Sequence, residues 1–298
     1  MRIVTFMQED AARPGAIRAD GGIVDLTPAA SSVRDLIEAG AAALARAHDL
    51  LATGPSVAEI ATAALLAPLP RPTQIRDCLT FETHLKNAYA SLERRTGRKI
   101  GIPAVWYEQP IYYKANRMNV IGPGATIEWP RYAKVLDYEL ELACVIGRKG
   151  RDISVDEAGD HIFGYTILND VSARDAQGKE MAGQLGPAKG KDFDTGNVFG
   201  PWIVTADAIG GARNLDMEVR VNGERRGGGN SRDMHHGFDD IIAFISQSET
   251  LYPGEILGSG TVGTGCGLEI GRYLEDGDEI ELEIENIGVL RNVIRKTA

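Results

Sequence analysis

The feature that most restricts the possible folds is an alternation of acidic and apolar residues near the middle of the chain. In a β-strand, residues two positions apart point to the same face, so Glu139 and Glu141 would project together while Tyr138, Leu140 and Leu142 pack on the other side. Two adjacent carboxylates repel each other, and a divalent cation with oxygen ligands is the simplest group that would hold them together. The same alternation is also typical of a strand whose acidic face is solvated. The pattern alone leaves both interpretations open.

A third acidic side chain follows the next apolar run. Residues 162–168 are largely apolar, and Asp170 stands just beyond them. Asp170 would supply a third carboxylate to the pair formed by Glu139 and Glu141. Mg²⁺, Ca²⁺ and Mn²⁺ all accept such oxygen ligands.

Composition and charge narrow the class of protein. The 298 residues are 43% hydrophobic and 25% charged, which is ordinary for a soluble globular protein with a large core. With 42 acidic and 32 basic residues, the net charge of −10 provides no electrostatic footprint for nucleic acid or an anionic membrane. No apolar run approaches the ~18 residues of a membrane span, and the first residues lack the apolar core of a signal peptide. We therefore expect neither a nucleic-acid partner nor a membrane partner.

Cysteine usage predicts a reducing compartment. The three cysteines, Cys78, Cys144 and Cys266, are odd in number, widely separated and without a CxxC pair. They indicate neither a disulfide framework nor a zinc site. We expect them to act as small buried apolar residues in the cytoplasm.

A proline-rich stretch divides the chain into two predicted domains. Residues 1–68 are expected to form a small N-terminal α+β domain with an Ala-rich helix over about 32–51, and Ser56 is expected to cap a second short helix. Prolines at positions 68, 70 and 72 then mark an extended linker, because each proline pushes the preceding residue out of the helical region. The larger domain is expected over residues 73–298.

The larger domain is predicted to be built mostly of strands. Short apolar runs are separated by Gly, Asn, Asp and Pro, and Asn222-Gly223 lies between alternating residues, which is the strongest short-range hairpin signal. A second hairpin is expected over 279–294. Helices are expected only over a few segments, among them about 84–95 and 238–247. The predicted fold class is therefore α+β and β-dominated.

Other chemically useful side chains fall where predicted strands end. His84 follows Asp77 by seven residues, at a point where a strand is expected to turn into a helix. A lone histidine in that position is also a common structural hydrogen-bonding residue. Arg174 and Gln177 lie four and seven residues after Asp170 and would share one face of a helix.

Two glycine-rich loops complete the set of candidate segments. Lys191 and Thr195 lie in residues 188–196, which match neither a Walker loop nor a dinucleotide-binding fingerprint. Residues 258–265 would cradle an anionic group through backbone N–H donors, or would form a simple turn between strands.

Four motifs in order carry a resemblance to a known family. They are DYELEL, NDVSARDAQ, GKDFDTGNVFGPW and TLYPGEILGSGTVGTG. Together they resemble the fumarylacetoacetate hydrolase family over about residues 73–298. The resemblance implies a mixed β-roll catalytic domain that commonly forms homodimers, binds Mg²⁺ or Ca²⁺ through carboxylates, and cleaves carbon–carbon bonds in β-dicarbonyl acids.

The resemblance also implies roles for individual residues. The metal ligands would be Asp77, Glu139, Glu141 and Asp170, with Lys191 and Thr195 near the metal. The catalytic groups would be His84, Glu269, Lys191, Arg174 and Gln177. The substrate contacts would be Tyr113, Arg174, Gln177 and Thr261.

One departure within the family is informative. Many small members place a glutamate three residues after the histidine, whereas this chain has Asn87 there. The fumarylacetoacetase-like branch instead orients its histidine with a glutamate from the late glycine-rich region, and Glu269 is the matching position. The basic segment 86–105 is expected to form a lid that positions a substrate carboxylate.

The resemblance predicts a metal-dependent hydrolase that cleaves a C–C bond of a small β-diketo or acylpyruvate-type acid. His84 would activate a water, oriented by Glu269, and the metal would stabilise the enolate that departs. The alternative within the family is a decarboxylase, isomerase or lyase that forms the same enolate without attack by water. An alternative from another class is a non-catalytic ligand-binding or scaffold protein, which turnover at substoichiometric enzyme would exclude.

Overall fold

The computed structural model describes residues 1–97 and 99–296. In these residues the strands, in chain order, are β1 (Arg2–Gln8), β2 (Ala11–Ile17), β3 (Gly22–Asp25), β4 (Ser56–Glu59), β5 (Leu65–Leu66), β6 (Gln74–Cys78), β7 (Tyr112–Ala115), β8 (Val120–Ile121), β9 (Thr126–Trp129), β10 (Leu136–Asp137), β11 (Leu140–Ile146), β12 (Ile162–Asp170), β13 (Ser172–Ala173), β14 (Asn197–Thr205), β15 (Asp216–Val221), β16 (Glu224–Asn230), β17 (Glu255–Gly258), β18 (Glu279–Ile284) and β19 (Gly288–Lys296). The α-helices are α1 (Val33–Thr53), α2 (Glu82–Thr96), α3 (Val105–Glu108), α4 (Arg174–Met181), α5 (Ala206–Ile209), α6 (Phe238–Ser246) and α7 (Gly267–Ile270). Single 3₁₀ segments cover Val155–His161 and Ser231–Asp233.

Two open sheets form the framework. The main sheet has the order β4-β3-β2-β1-β14-β12-β11-β17-β6-β7, and the second has the order β16-β15-β18-β19-β9. Most neighbours are antiparallel, but β6 runs parallel to β17 and β9 runs parallel to β19. The prediction of a β-dominated α+β fold is confirmed. Strand β17 lies between β11 and β6 and pairs with both, which positions the site described below.

Strand β11 is buried on both faces. Leu140 and Leu142 belong to the large core that also contains residues of the second sheet, whereas Ala143 and Val145 belong to the core beneath α1. Glu141 projects on the same face as Ala143 and is fully buried. The solvated-strand interpretation of the acidic alternation is therefore wrong, because both faces of this strand are covered by packed elements.

The strands of residues 1–68 continue the main sheet. β1 pairs with β14, with Arg2 opposite Val204. Helix α1 begins as predicted, with the Ser32 side chain accepting a hydrogen bond from the Asp35 N–H at 3.0 Å. The second short helix predicted after Ser56 is wrong. Residues 56–59 instead form β4, since pairing with the edge of β3 satisfies backbone groups that so short a helix would leave open. The division into domains stays a prediction.

Both predicted hairpins are confirmed. β15 pairs with β16 across Asn222-Gly223, and β18 pairs with β19. Asn222 and Gly223 have φ angles of 52° and 76°, as a type I′ turn requires. All three cysteines are free and buried. Within the described ranges, no helix combines the length and apolar character needed to cross a membrane.

Candidate metal centre and active site

Three buried carboxylates meet on one face of the main sheet. Asp170 ends β12, Glu141 lies on β11, and Asp77 lies on β6. One oxygen from each carboxylate lies within 4.8 Å of the others. The sheet order explains this meeting, because β17 alone separates β6 from β11.

The hydrogen bonding of these carboxylates fits a divalent cation. Each retains one buried oxygen without a hydrogen-bond partner, namely Asp77 Oδ1, Glu141 Oε1 and Asp170 Oδ1. Buried polar atoms normally have a hydrogen-bond partner. Three buried acceptors without one, at a single point, are what a cation-binding site would present. Hard oxygen donors of this kind suit Mg²⁺, Mn²⁺ or Ca²⁺.

The crowding also changes the proton affinities of the carboxylates. Burial, followed by the charge of Asp170, raises the pKa of Asp77 well above its usual range. Burial, followed by the charge of Asp77, does the same to the pKa of Glu141. Protons would therefore compete with a divalent cation for these carboxylate oxygens.

Glycine at position 258 keeps the space between two carboxylates open. Gly258 lies on β17 opposite Asp77 of β6. A Cβ atom added to it would lie 2.5 Å from Asp77 Oδ1 and 2.8 Å from Glu141 Oε2. The absence of a side chain is thus a steric requirement for bringing the two carboxylates together.

We expect Gly258→Ala to raise the dissociation constant for Mn²⁺ by at least about tenfold, because the new methyl group displaces the oxygens that would bind the cation. Isothermal titration calorimetry measures this directly. Gly159→Ala is a matched control, since a Cβ there meets nothing within 4 Å. Equal Mn²⁺ affinity in wild type and Gly258→Ala would show that the cation does not bind at these oxygens.

Glu139 lies beside this trio but is held by two cations. Its Oε1 lies 2.6 Å from Arg174 Nη2, and its Oε2 accepts a hydrogen bond from Lys191 Nζ at 2.6 Å. Burial alone would raise the pKa of Glu139, but Arg174 and Lys191 hold it well below its usual range. Both oxygens of Glu139 are thus paired with cationic side chains. Its role as a fourth metal ligand stays a prediction.

Lys191 links Glu139 to the carboxylate trio. Its Nζ also donates to Asp170 Oδ2, whose oxygen accepts a further hydrogen bond from Tyr113 at 2.9 Å. Burial would lower the pKa of Lys191, but Asp170 and Glu139 raise it above its usual range. These two ion pairs hold Lys191 as a fixed positive charge beside the carboxylate trio.

Sequence reasoning did not identify Asp137, which organises the other side of the site. Its Oδ2 accepts from Arg174 Nε at 2.8 Å and from the Leu268 N–H at 2.9 Å, while its Oδ1 accepts from the Gly267 N–H at 2.8 Å. Asp137 thus fixes both the guanidinium of Arg174 and the start of α7. Its position at the beginning of the DYELEL motif was the available signal, but strand alternation drew attention to the two glutamates.

His84 is held by Glu269, as the resemblance implied. The two side chains are joined at 2.8 Å between His84 Nδ1 and Glu269 Oε1. The other oxygen, Glu269 Oε2, accepts from Asn87 Nδ2 at 2.7 Å and from the Thr264 N–H at 2.8 Å. Asn87, which stands where many small family members have a glutamate, therefore donates to Glu269 instead.

These groups share a cavity of about 350 Å³. The predicted residues that line it are Asp77, His84, Tyr113, Glu139, Glu141, Asp170, Arg174, Gln177, Lys191 and Thr261. Glu269 lies behind His84. Thr195 is not among the described lining residues, because its hydroxyl bonds the backbone of Glu128 in β9, accepting from the N–H at 2.9 Å. Of the predicted lid, Arg98 lies outside the described residues, and most of the remainder belongs to α2.

The site contains a carboxylate trio, a histidine–glutamate pair and a glycine-rich turn late in the chain. A comparison with family models accounts for this combination. A model described as fumarylacetoacetate (FAA) hydrolase C-terminal matches residues 75–295. The chain belongs to the fumarylacetoacetate hydrolase family. This match covers the strands that carry the three carboxylates as well as α2 and α7, which carry His84 and Glu269.

Similar proteins within the family carry out different reactions. Oxaloacetate tautomerase fahd2 of Xenopus laevis, named as mitochondrial, is 32% identical over 302 residues, which is 99% of this chain and 90% of that protein. The solved 5-carboxymethyl-2-hydroxymuconate delta-isomerase from Mycobacterium smegmatis has a TM-score of 0.75 at 26% identity, covering all of both chains. Maleylpyruvate hydrolase from Sphingobium sp. SYK-6, solved with manganese(II) and pyruvate, has a TM-score of 0.79 at 25% identity, again covering all of both chains. Membership of the family establishes an enzyme fold but does not choose among these reactions.

Proposed function

We propose that this protein is a metal-dependent hydrolase that cleaves a C–C bond in a small β-diketo acid of the acylpyruvate type. The observation that carries the proposal is the buried His84–Glu269 pair, whose histidine lines the same cavity as the carboxylate trio. A histidine oriented by a carboxylate is suited to taking a proton from water. Hydrolysis needs that step, whereas binding alone does not.

His84 has one nitrogen left for catalysis. Nδ1 is occupied by Glu269, so Nε2 is the nitrogen that would accept a proton from the attacking water. Glu269 would then stabilise the imidazolium cation through the same contact. This division of roles is the usual one for a catalytic histidine that is oriented by a carboxylate.

Three side chains are suited to stabilising negative charge on the substrate. Lys191 and Arg174 are buried cations at the cavity, fixed by ion pairs. Gln177 Oε1 accepts from Arg174 Nη1 at 3.0 Å, so its amide N–H₂ group is the end that would donate to a substrate oxygen. Donors fixed before the reaction begins stabilise a developing oxyanion most effectively.

The ligand set fits a divalent cation, with Mg²⁺, Mn²⁺ and Ca²⁺ as the candidates. Asp77, Glu141 and Asp170 would hold it through their orphaned oxygens. When bound, it would supply Lewis acidity toward the dicarbonyl oxygens of the substrate. The manganese complex of the maleylpyruvate hydrolase supports this part of the proposal.

A second candidate is tautomerisation or isomerisation of a 2-oxo acid through an enolate. The named activities of the Xenopus and Mycobacterium relatives favour it. His84 would then move a proton between carbon and oxygen of the substrate, and no water would attack. Decarboxylation and lyase chemistry belong to the same enolate-forming alternative.

Product analysis distinguishes the candidates. The protein is incubated at substoichiometric amounts with acetylpyruvate, fumarylpyruvate and oxaloacetate, with Mn²⁺ or with EDTA, and the products are identified by mass. We expect two acid fragments, formed only with the metal. Unchanged mass with a shifted ultraviolet spectrum would support tautomerisation, and loss of CO₂ would support decarboxylation. No turnover of any acid would contradict both.

Homodimer assembly and a cytoplasmic location are further proposals, which light scattering and cell fractionation test.

A further inference from the structure

The cavity has two chemically different sides. The strands of the main sheet provide the charged floor, which includes the three carboxylates. The helices and loops above it provide an apolar wall, which consists of Leu85, Tyr89, Ile111, Met181, Pro187 and Leu268. The reaction proposed above uses the carboxylate trio and polar side chains such as His84 and Lys191, but none of these apolar groups. The apolar wall is therefore available to select the part of the substrate that does not react.

The apolar wall comes from five separate parts of the fold, one of which is the loop after α4 that carries Pro187. Leu85 and Tyr89 are four residues apart on α2, and therefore share one face of that helix. Ile111 precedes β7, Met181 ends α4, and Leu268 lies on α7 beside the catalytic pair. Several independent elements thus present apolar groups to the same space, which an accidental exposed residue would not explain.

The wall extends from the interior to the solvent. Leu85 is 4% exposed, whereas Met181 is 50% exposed. A substrate whose dicarbonyl end lies on the floor would therefore pass its remaining chain along apolar surface toward the opening. Burying such a chain is favourable in proportion to the apolar area removed from water.

The charges at the floor leave little to attract a second carboxylate. In the described part of the chain, the lining cations are Arg174 and Lys191, and both are already paired with buried carboxylates. Four carboxylates line the same cavity, so two cations and a divalent metal would bring it only near neutrality. A second carboxylate held against the apolar wall would lose water without gaining a cationic partner among the described lining residues.

We propose that the substrate is an acylpyruvate whose acyl group is a hydrocarbon chain or aryl ring, rather than a dicarboxylate. This inference rests on the proposed function and specifies its substrate class. The floor binds the polar 2,4-dioxo acid end, and the apolar wall binds the acyl group. Selectivity then arises from transfer of the acyl chain out of water.

A homologous series tests the inference. Acetyl-, butanoyl-, hexanoyl- and benzoylpyruvate are compared with fumarylpyruvate at saturating Mn²⁺. We expect kcat/KM to rise about fourfold per added methylene, as ~0.8 kcal/mol per methylene predicts, until the cavity is filled. Fumarylpyruvate should be the poorest of the longer acids. A flat series, or a preference for fumarylpyruvate, would overturn the inference while leaving hydrolysis intact, whereas no turnover of any acid would overturn the proposed function as well.

Charge placed on the wall provides a second test. Met181→Lys adds a cation at the half-exposed end of the wall, and we expect it to lower kcat/KM for hexanoylpyruvate and raise it for fumarylpyruvate, each about tenfold. Met181→Leu should keep the wild-type order. Met118→Lys adds the same charge at a methionine that is 67% exposed and outside the described cavity lining, and it should change neither substrate. Equal shifts in Met181→Lys and Met118→Lys would contradict a role for the wall.

Discussion

Replacing His84 with glutamine is expected to lower kcat by a factor of about 10²–10⁴, while the Mn²⁺ dissociation constant changes by less than about twofold. Glutamine can keep a hydrogen bond to Glu269, but it cannot accept a proton from water near neutral pH. The histidine does not belong to the carboxylate trio, so the metal ligands stay in place. Steady-state kinetics on the best acylpyruvate and calorimetric Mn²⁺ titration measure the two effects.

His161→Gln is the matched control for this substitution. His161 is also buried, at 8% exposure, but its Nδ1 pairs with the Arg148 carbonyl at 2.9 Å, and it is not among the described cavity residues. We expect kcat close to wild type in this variant. If His84→Gln kept more than half of the wild-type kcat, the proposed base would have to be another group.

A double substitution tests whether His84 and Glu269 act as one unit. Glu269→Gln should lower kcat on its own, because the imidazolium would lose its charged partner. Added to His84→Gln, it should have little further effect, since groups that work together are non-additive. If the two decreases in kcat instead multiplied in the double variant, Glu269 would serve only to hold α7.

The motifs predicted the family and most of the cavity because their order is specific even where each one is short. Strand periodicity singled out Glu139 and Glu141, whereas the roles of His84 and Asp77 came from the family resemblance. The pairing of His84 with Glu269 joins residues 185 positions apart. No local pattern specifies such a contact, and only the family resemblance brought the two residues together in advance.

The features that sequence reasoning missed depend on tertiary packing. Asp137 was not recognised, because it acts by accepting hydrogen bonds from two backbone N–H groups of α7 and from the guanidinium of Arg174. The pairing of Glu139 with cations has the same origin. Residues 56–59 became a strand rather than a helix because β3 offered an open edge, which a reading of local propensity does not include.

The second large effect is expected from Glu141→Gln, which should weaken Mn²⁺ binding by more than about 100-fold and yet stabilise the metal-free protein. The substitution removes a charged ligand, and losing even an indirect partner of a metal ligand typically costs 10–100-fold. Without metal, however, Glu141 is a buried carboxyl whose charge is opposed by burial and by Asp77. The neutral amide avoids both penalties and can donate to the neighbouring carboxylate.

The pH dependence has a definite sign. Because the folded-state pKa values of Glu141 and Asp77 are raised, the stability associated with these groups is present below their ordinary pKa values and is lost as pH rises through the raised ones. With EDTA, the wild-type melting temperature should therefore fall more steeply above about pH 5 than that of Glu141→Gln. With saturating Mn²⁺, the gain in wild-type melting temperature should grow with pH, because protons compete less for the ligands.

Glu281→Gln separates this effect from a general response to losing a carboxylate. Glu281 also lies on a strand and is largely buried, but Arg291 and Arg220 hold its pKa below the usual range. The same substitution there should lower the melting temperature at neutral pH and leave Mn²⁺ affinity unchanged. Opposite signs for two Glu→Gln changes, measured by calorimetry with and without metal, follow only if Glu141 is held among like charges that a cation relieves. A lower metal-free melting temperature in Glu141→Gln would contradict that explanation.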